Sequence, residues 1–218
     1  MQCIKDTIKN INIVIGCSIG CSYCYARMNN NRFHTIDDFN KPVFFENKLK
    51  MLDNKRHTAY LLTGQSDLSG WNEEWKDKVF SKMKENENTQ YIFLTKRPEN
   101  IKLKETPDNG WFGVTVTSSK EKTRIDYLRN NIKAKHYHIT FEPMFDDVGK
   151  LDLSNISWIV IGTETGNRKG KISSKREWVF NIYNQAKEKN IPVFMKEDLL
   201  GILKEDDLFK NFLKNLEK

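Results

Sequence analysis

The chain lacks any long apolar run: stretches such as Ile156 to Ile161 break far short of the ~18 residues that a membrane-crossing helix requires. Proline (5) and glycine (11) are sparse among the 218 residues, which excludes collagen-like, low-complexity and disordered classes. No Pro/Gly/Ser-rich linker divides the sequence and no internal repeat is visible, so at roughly 150 residues per domain it reads as one domain over 1–218. The polar start Met1-Gln-Cys-Ile-Lys-Asp6 has no secretory apolar core. The expected location is therefore the cytoplasm, with no membrane partner. The four cysteines, in a reducing compartment, argue against a disulfide framework. Acidic residues are in deficit, 29 against 36 Lys and Arg, and the resulting net charge of +7 suits an anionic ligand. Nucleic acid is permitted as a partner on that ground.

What is present is a rhythm. Short β-branched and aromatic runs at Ile11–Ile15, Thr58–Leu62, Gln90–Leu94, Phe112–Val116, His136–Phe141, Ser157–Ile161 and Ile191–Met195 read as strands. Helical stretches separate them, with starts at Asn72 and at the capping-box spacings Ser118-Ser-Lys-Glu121 and Ser174-Lys-Arg-Glu177. Such alternation implies parallel strands covered by helices, an α/β fold. His136, His138, Thr140 and Glu142 share one face of the fifth strand, and Thr115 and Thr117 share one face of the fourth. A central strand covered on both sides would be apolar on both faces, so the polar face points to a partial (β/α)6-7 TIM-like barrel with a ligand inside. The segment 198–218 is expected to form a C-terminal capping helix.

Three of the cysteines fall in Ile13-Val-Ile-Gly-Cys17-Ser-Ile-Gly-Cys21-Ser-Tyr-Cys24-Tyr25, directly after the first expected strand. Three thiolates from one short loop can hold three irons of a [4Fe-4S] cube and leave the fourth open. Zinc is the rival, but structural zinc normally takes four protein ligands and the nearest candidate, His34, lies ten residues past Cys24. Inert buried thiols are the third alternative. The role of Cys3, outside the spaced motif, stays open. The carboxyl ends of the other strands carry Ser66 and Asp67, Lys96 and Arg97, Thr115 and Thr117, Glu142, Thr163 and Glu164, and Lys196 and Glu197. In a β/α barrel these ends surround one mouth. Loops are polar in any case, and the cysteines on the same rim favour a site.

C-x3-C-x2-C with an aromatic before the last cysteine resembles the signature of the radical S-adenosylmethionine (SAM) superfamily. Within it, the chain is most similar to the family called radical SAM mobile pair protein A, and more remotely to the spore photoproduct lyases. The resemblance runs nearly end to end, through Cys21-Ser-Tyr-Cys-Tyr-Ala-Arg27, Phe44-Phe-Glu-Asn-Lys-Leu49, Leu62-Thr-Gly-Gln-Ser-Asp-Leu-Ser-Gly-Trp71, Phe93-Leu-Thr-Lys-Arg-Pro98, Trp111-Phe-Gly-Val-Thr-Val-Thr117, Phe141-Glu-Pro143 and Pro192-Val-Phe-Met-Lys-Glu-Asp198.

The resemblance implies a partial barrel in which Cys17, Cys21 and Cys24 hold a [4Fe-4S] cluster and SAM chelates its open iron. Reductive cleavage of SAM then gives a 5'-deoxyadenosyl radical that abstracts hydrogen from an unidentified, nucleic-acid-related or other substrate. It implies that Tyr23 lies against the adenine, that Ser66 and Asp67 serve the ammonium, and that Lys96 pairs with the carboxylate. Thr115 or Thr117 is expected to reach the ribose. Gly64-Gln65-Ser66 departs from the superfamily's usual Gly-Gly-Glu, and Gln65 stands where a photoproduct lyase would carry a hydrogen-donating cysteine. Glu142, Glu164, Arg97 and Lys196 remain as catalytic candidates facing substrate, with ion pairs that merely close the mouth as the alternative. The implied partners are a second radical SAM protein encoded nearby and a low-potential electron donor of flavodoxin or ferredoxin type. The rival function is a cluster- or zinc-containing nucleic-acid-binding subunit without radical chemistry of its own. His136, His138 and most of the tryptophans are expected in the core.

Overall fold

The computed structural model describes residues 4–53 and 59–211. Its strands are β1 (Ile8–Asn10), β2 (Val14–Ile15), β3 (Val43–Phe44), β4 (Ala59–Leu61), β5 (Gln90–Thr95), β6 (Gly110–Thr115), β7 (His136–Phe141), β8 (Ile156–Ile161) and β9 (Val193–Met195). The helices are α1 (Ile4–Thr7), α2 (Tyr25–Phe33), α3 (Glu73–Glu85), α4 (Thr123–Asn131) and α5 (Arg176–Glu188). Seven strands form one parallel sheet in the order β1-β4-β5-β6-β7-β8-β9, curled into a half-barrel of α/β class. Because all seven are parallel, their carboxyl ends, and the loops that leave them, lie at one end of the sheet.

Period-2 alternation sorts the apolar residues onto two faces. Tyr91, Phe93, Phe112, Val114, Ile159 and Ile161 join Val79, Met83, Ile125, Val179 and Ile182 of the helices in the main core. Their neighbours in the strands, Ile92, Trp111, Trp158 and Val160, point the other way and pack with Ile8, Ala59 and Phe194. These fill the concave side. Helix α3 starts where expected: the Asn72 side chain accepts from the Trp75 N–H at 2.9 Å, and Glu73 and Glu74 occupy its first turn while Lys82 and Lys84 occupy its last. Among the described residues, no helix is long and apolar enough to cross a membrane.

Four expectations need correction. Of the strand expected at Ile11–Ile15 only Val14–Ile15 (β2) forms, and it pairs antiparallel with β3; the strand that joins the parallel sheet, β1, lies just before it at Ile8–Asn10. The Ile11 N–H still bonds the Leu61 carbonyl at 3.0 Å, but Ile13 already serves Phe45, so the chain changes partners at Asn12. Ser174 does not cap α5; its hydroxyl is buried against Thr163 Oγ1 (2.9 Å) and the Met144 carbonyl, and Lys175 takes the cap position without a side-chain bond. Ser118 likewise makes no capping bond, because Glu121 reaches back one residue further, to the Thr117 N–H (2.8 Å) and hydroxyl (2.7 Å). The described part of the tail, 198–211, contains short 3-10 turns in place of helix, and then an antiparallel bridge from Lys210 to Phe194 that covers the β9 edge. The rest of the expected capping helix, 212–218, lies outside the described residues, as do Cys3 and Thr58.

On the concave side the His138 ring is buried, with Nε2 at 3.1 Å from the Phe93 carbonyl. A carbonyl only accepts, so Nε2 carries the proton. Burial pushes its pKa down from 6.5 to about 4, more than the Phe93 carbonyl restores. The unfolded chain therefore binds a proton between those two values that the folded chain refuses. The associated stability is complete above pH ~6.5 and is lost as pH falls toward ~4, a contribution on the order of 3 kcal/mol. Urea midpoints for wild type should fall between pH 7 and 4.5 more steeply than those of His138→Gln; parallel curves would refute this coupling.

Candidate functional site

The cysteine loop begins at Gly16, which bridges to Ser66 and donates its N–H to the Gln65 carbonyl at 3.0 Å. Its φ of +114° and the Pro42 Cα that a Cβ would meet at 2.9 Å leave room for glycine alone. The loop is then pinned at several points. The Cys17 N–H bonds the Phe39 carbonyl (2.6 Å), and Arg27 lays its guanidinium over the Phe39 ring while donating to the Cys17 carbonyl (2.8 Å) and Asn40 Oδ1 (3.0 Å). Cys24 is the N-cap of α2, its sulfur accepting from the Arg27 N–H at 3.4 Å. All three thiols are free and half-buried. Burial pushes the Cys17 thiol up to about 11, reinforced by the negative charges that Asp67, Cys21 and Cys24 place nearby.

The three sulfurs share one loop without meeting at one point: among the described residues, no three His, Cys, Asp or Glu side chains converge closely enough to hold an ion. As a donor set, three free soft thiols with no fourth protein ligand fit a three-point attachment to a cluster. They leave zinc one ligand short. His34 caps the far end of α2, roughly 15 Å along the axis from Cys24 at 1.5 Å per residue, so it does not complete a zinc site.

Tyr23 turns back from this loop over the sheet. Burial pushes its phenol up, reinforced by Cys21, to which it is hydrogen-bonded, while the Thr117 hydroxyl works the opposite way. Its ring packs edge-on against Phe145, and the Lys96 ammonium lies 5.9 Å from its centroid. Lys96 also reaches Thr115 Oγ1 at 3.5 Å and forms no ion pair among the described residues. It is thus a half-buried cation without a counter-ion among the described residues. Asp67 is placed differently from Ser66 and Lys96. Its Oδ1 accepts from Thr95 Oγ1 (2.6 Å), Ser69 N–H (3.0 Å) and Ser69 Oγ (2.7 Å), and its Oδ2 from the Lys96 N–H (2.8 Å). The carboxylate is thus spent on joining the β4 loop to the end of β5. Ser66 Oγ accepts from Trp71 Nε1 at 3.0 Å and keeps its own proton to donate.

Beyond β7 the polar residues form a second pole. Lys196 pairs with Glu142 and, at 3.3 Å, with Asp198. Burial alone would lower the Lys196 pKa, but the two carboxylates outweigh it and hold it above its ordinary value. Gly162 makes the space: a Cβ there would lie 3.0 Å from Lys196 Cδ and 3.1 Å from Glu142 Cδ. Tyr25 spans the gap from the cysteine loop. Its hydroxyl donates to the Gly64 carbonyl at 2.5 Å, and burial, Cys24 and Glu142 raise its pKa against the pull of Lys196. Glu164 is buried and held well below the usual carboxylate range by a bidentate pair with Arg168 (2.5 and 2.9 Å). Arg97 is exposed and, among the described residues, its ion pair is with Glu99, at 3.5 Å.

Sequence reasoning gave no site role to Arg27, Arg124 or Arg168, and read Glu121 only as a capping-box partner of Ser118. The signal available was helical spacing: Arg27 is three after Cys24, Glu121 four after Thr117, and Arg168 four after Glu164. Arg124 closes a brace, donating to Glu121 Oε2 (2.8 Å) and to the Thr115 carbonyl (2.8 Å). It thereby fixes both threonines beside Tyr23.

A curled α/β half-barrel with a three-cysteine loop at the carboxyl end of its sheet defines the class. Residues 2–210 match the family described as protein of unknown function, DUF5131, and the chain belongs to that family. No curated protein and no solved structure matches.

Proposed function

We propose that this protein is a radical SAM enzyme, and the observation that carries the reading is the C-x3-C-x2-C loop facing an uncompensated lysine. When bound, a [4Fe-4S] cluster and SAM would together supply one-electron cleavage of a carbon–sulfur bond, yielding methionine and a 5'-deoxyadenosyl radical. The chain's own part is attachment, orientation and exclusion of water. Cys17, Cys21 and Cys24 are the ligands, clamped from behind by Arg27. Lys96 takes the SAM carboxylate, because it is half-buried and lacks a carboxylate of its own. Ser66 serves as a hydroxyl contact, while Asp67 acts as a positioning residue that orients Thr95 and the Lys96 backbone. Thr115 and Thr117 offer the ribose contacts, and Tyr23 the adenine-facing ring. The packed floor of Trp111, Trp158 and Phe194 closes the barrel beneath. Glu142 and Lys196 sit at the opposite pole, toward substrate.

The test is anaerobic reconstitution followed by SAM and a strong reductant. Accumulation of 5'-deoxyadenosine supports the reading; a protein that binds iron and SAM yet forms none points to the subunit without radical chemistry. Lys96→Ala should weaken SAM binding by about 2 to 5 kcal/mol and leave iron content unchanged. Unchanged SAM affinity by titration calorimetry would reject the role of Lys96.

A further inference from the structure

The segment that carries the three cysteines is tied at both ends to one turn. Gly16, directly before Cys17, donates its N–H to the Gln65 carbonyl at 3.0 Å, and Tyr25, directly after Cys24, donates its hydroxyl to the Gly64 carbonyl at 2.5 Å. The two acceptors are adjacent carbonyls of the turn 63–66, which the Ser66 N–H closes on the Thr63 carbonyl at 3.4 Å. The first tie is made by backbone and needs only the positive φ that glycine allows. The second depends on a side chain, a hydroxyl held at the end of a rigid ring.

Other contacts hold the turn to the sheet. Thr63 Oγ1 accepts from the Leu94 N–H at 2.7 Å, and Ser66 Oγ accepts from Trp71 Nε1 at 3.0 Å. Gly64 packs against Asn10 and Asn12: a Cβ there would lie 3.0 Å from Asn12 Oδ1 and 3.4 Å from the Asn10 amide nitrogen. Tyr25 differs from these partners in exposure. It is 51% exposed and its ring belongs to none of the three apolar clusters, so its bond to a carbonyl that water could also serve adds little to stability. What the bond does fix is position, because Cys24 is the N-cap of α2 and Tyr25 is the first residue of that helix.

We propose that Tyr25 is a positioning residue whose hydroxyl sets the separation between the cysteine loop and the turn that carries Ser66. The inference rests on the reading of Cys17, Cys21 and Cys24 as cluster ligands and of Ser66 as a SAM contact, and it gives Tyr25 the task of keeping the two in register. A ligand attached to the cysteine-bound group meets the Ser66 hydroxyl only if loop and turn keep one spacing, because a hydrogen bond weakens steeply away from its ordinary geometry. Without the phenolic hydroxyl, the cysteine segment keeps its tie at Gly16 and loses the one at Tyr25.

Tyr25→Phe keeps the ring and removes the bond. In the full-length protein before reconstitution, amide hydrogen exchange over 63–66 should speed at least about threefold, with β6 and β7 unchanged. After anaerobic reconstitution, iron content should match wild type and the melting temperature should stay within about 2 °C. The Kd for SAM, by titration calorimetry, should rise about 3- to 10-fold, the range of one lost hydrogen bond. KM for SAM should rise by the same factor while kcat stays within about twofold. Tyr127→Phe, the same change at a tyrosine 46% exposed on α4, should match wild type throughout. Unchanged exchange at the turn would overturn the proposal, and so would faster exchange or a lower melting temperature with unchanged SAM affinity, since the bond would then be a structural tie alone. If wild type binds SAM yet forms no 5'-deoxyadenosine, the radical chemistry fails, while exchange and SAM affinity still decide for or against Tyr25.

Discussion

Cys21→Ala should give a folded protein that holds no cluster and forms no 5'-deoxyadenosine above background, whereas wild type should reconstitute about four irons. Cys21 lies half-buried in a loop also held by bonds from the Cys17 N–H and from Arg27, so losing its contact with the Tyr23 hydroxyl should leave thermal stability near that of wild type. This separates loss of a ligand from loss of fold. Cys24 offers a sharper control because its sulfur also caps α2. Cys24→Ala should lose the cluster and about 0.5 to 1 kcal/mol of stability, while Cys24→Ser should recover the cap and still hold no cluster. Cys3→Ala should be silent. Iron and sulfide analysis with absorbance near ~400 nm reads all four variants. A Cys21→Ala protein retaining a full, SAM-responsive cluster would sink the ligand assignment.

The alternation of strand and helix was legible because burial on a sheet has period 2 and burial on a helix period 3.6, and six of the seven expected strands stand within about two residues of their places. Partner choice was not legible. Ile11, Ile13 and Ile15 alternate as one strand would, and nothing in that pattern says that the chain leaves β4 for β3 at Asn12. The same limit applies to capping. Ser174-x-x-Glu177 has the right spacing, but Thr163, eleven residues earlier in sequence, competes for the hydroxyl and wins it. In the site, the residue types and their strand ends were readable, because side chains at one end of a parallel sheet must gather. Their bonding was not: Asp67 is as polar as Lys96, yet four internal donors occupy its carboxylate while Lys96 keeps no counter-ion. The Glu142–Lys196 pair depends on Gly162, whose missing side chain makes room between two strands distant in sequence.

Gly113→Ala should fail to accumulate as soluble protein or should lose at least ~3 kcal/mol of stability, the largest effect expected of any single methyl group in this chain. A Cβ on Gly113 would sit 2.4 Å from both Cε1 and Nε2 of His138 and 2.6 Å from Cδ2. The collision is with the body of a ring, and the ring has nowhere to go. It is fully buried, bonded through Nε2 to the Phe93 carbonyl, and tilted against Trp158 at 6.0 Å between centroids. Residue 113 pairs with His138 in register between two central strands, so the backbone cannot retreat without breaking the ladder on both sides. Relief must come from the histidine. The double variant Gly113→Ala with His138→Ala removes the ring that the new methyl strikes, and should be more stable than Gly113→Ala alone despite the cavity that His138→Ala leaves by itself. Urea denaturation of the four proteins closes the cycle, and coupling between the two sites should exceed about 1 kcal/mol in the compensating direction. Additive losses would mean that the concave floor relaxes around the methyl group. The tight fit of Gly113, His138 and Trp158 beneath the mouth would then no longer be what holds that floor in place.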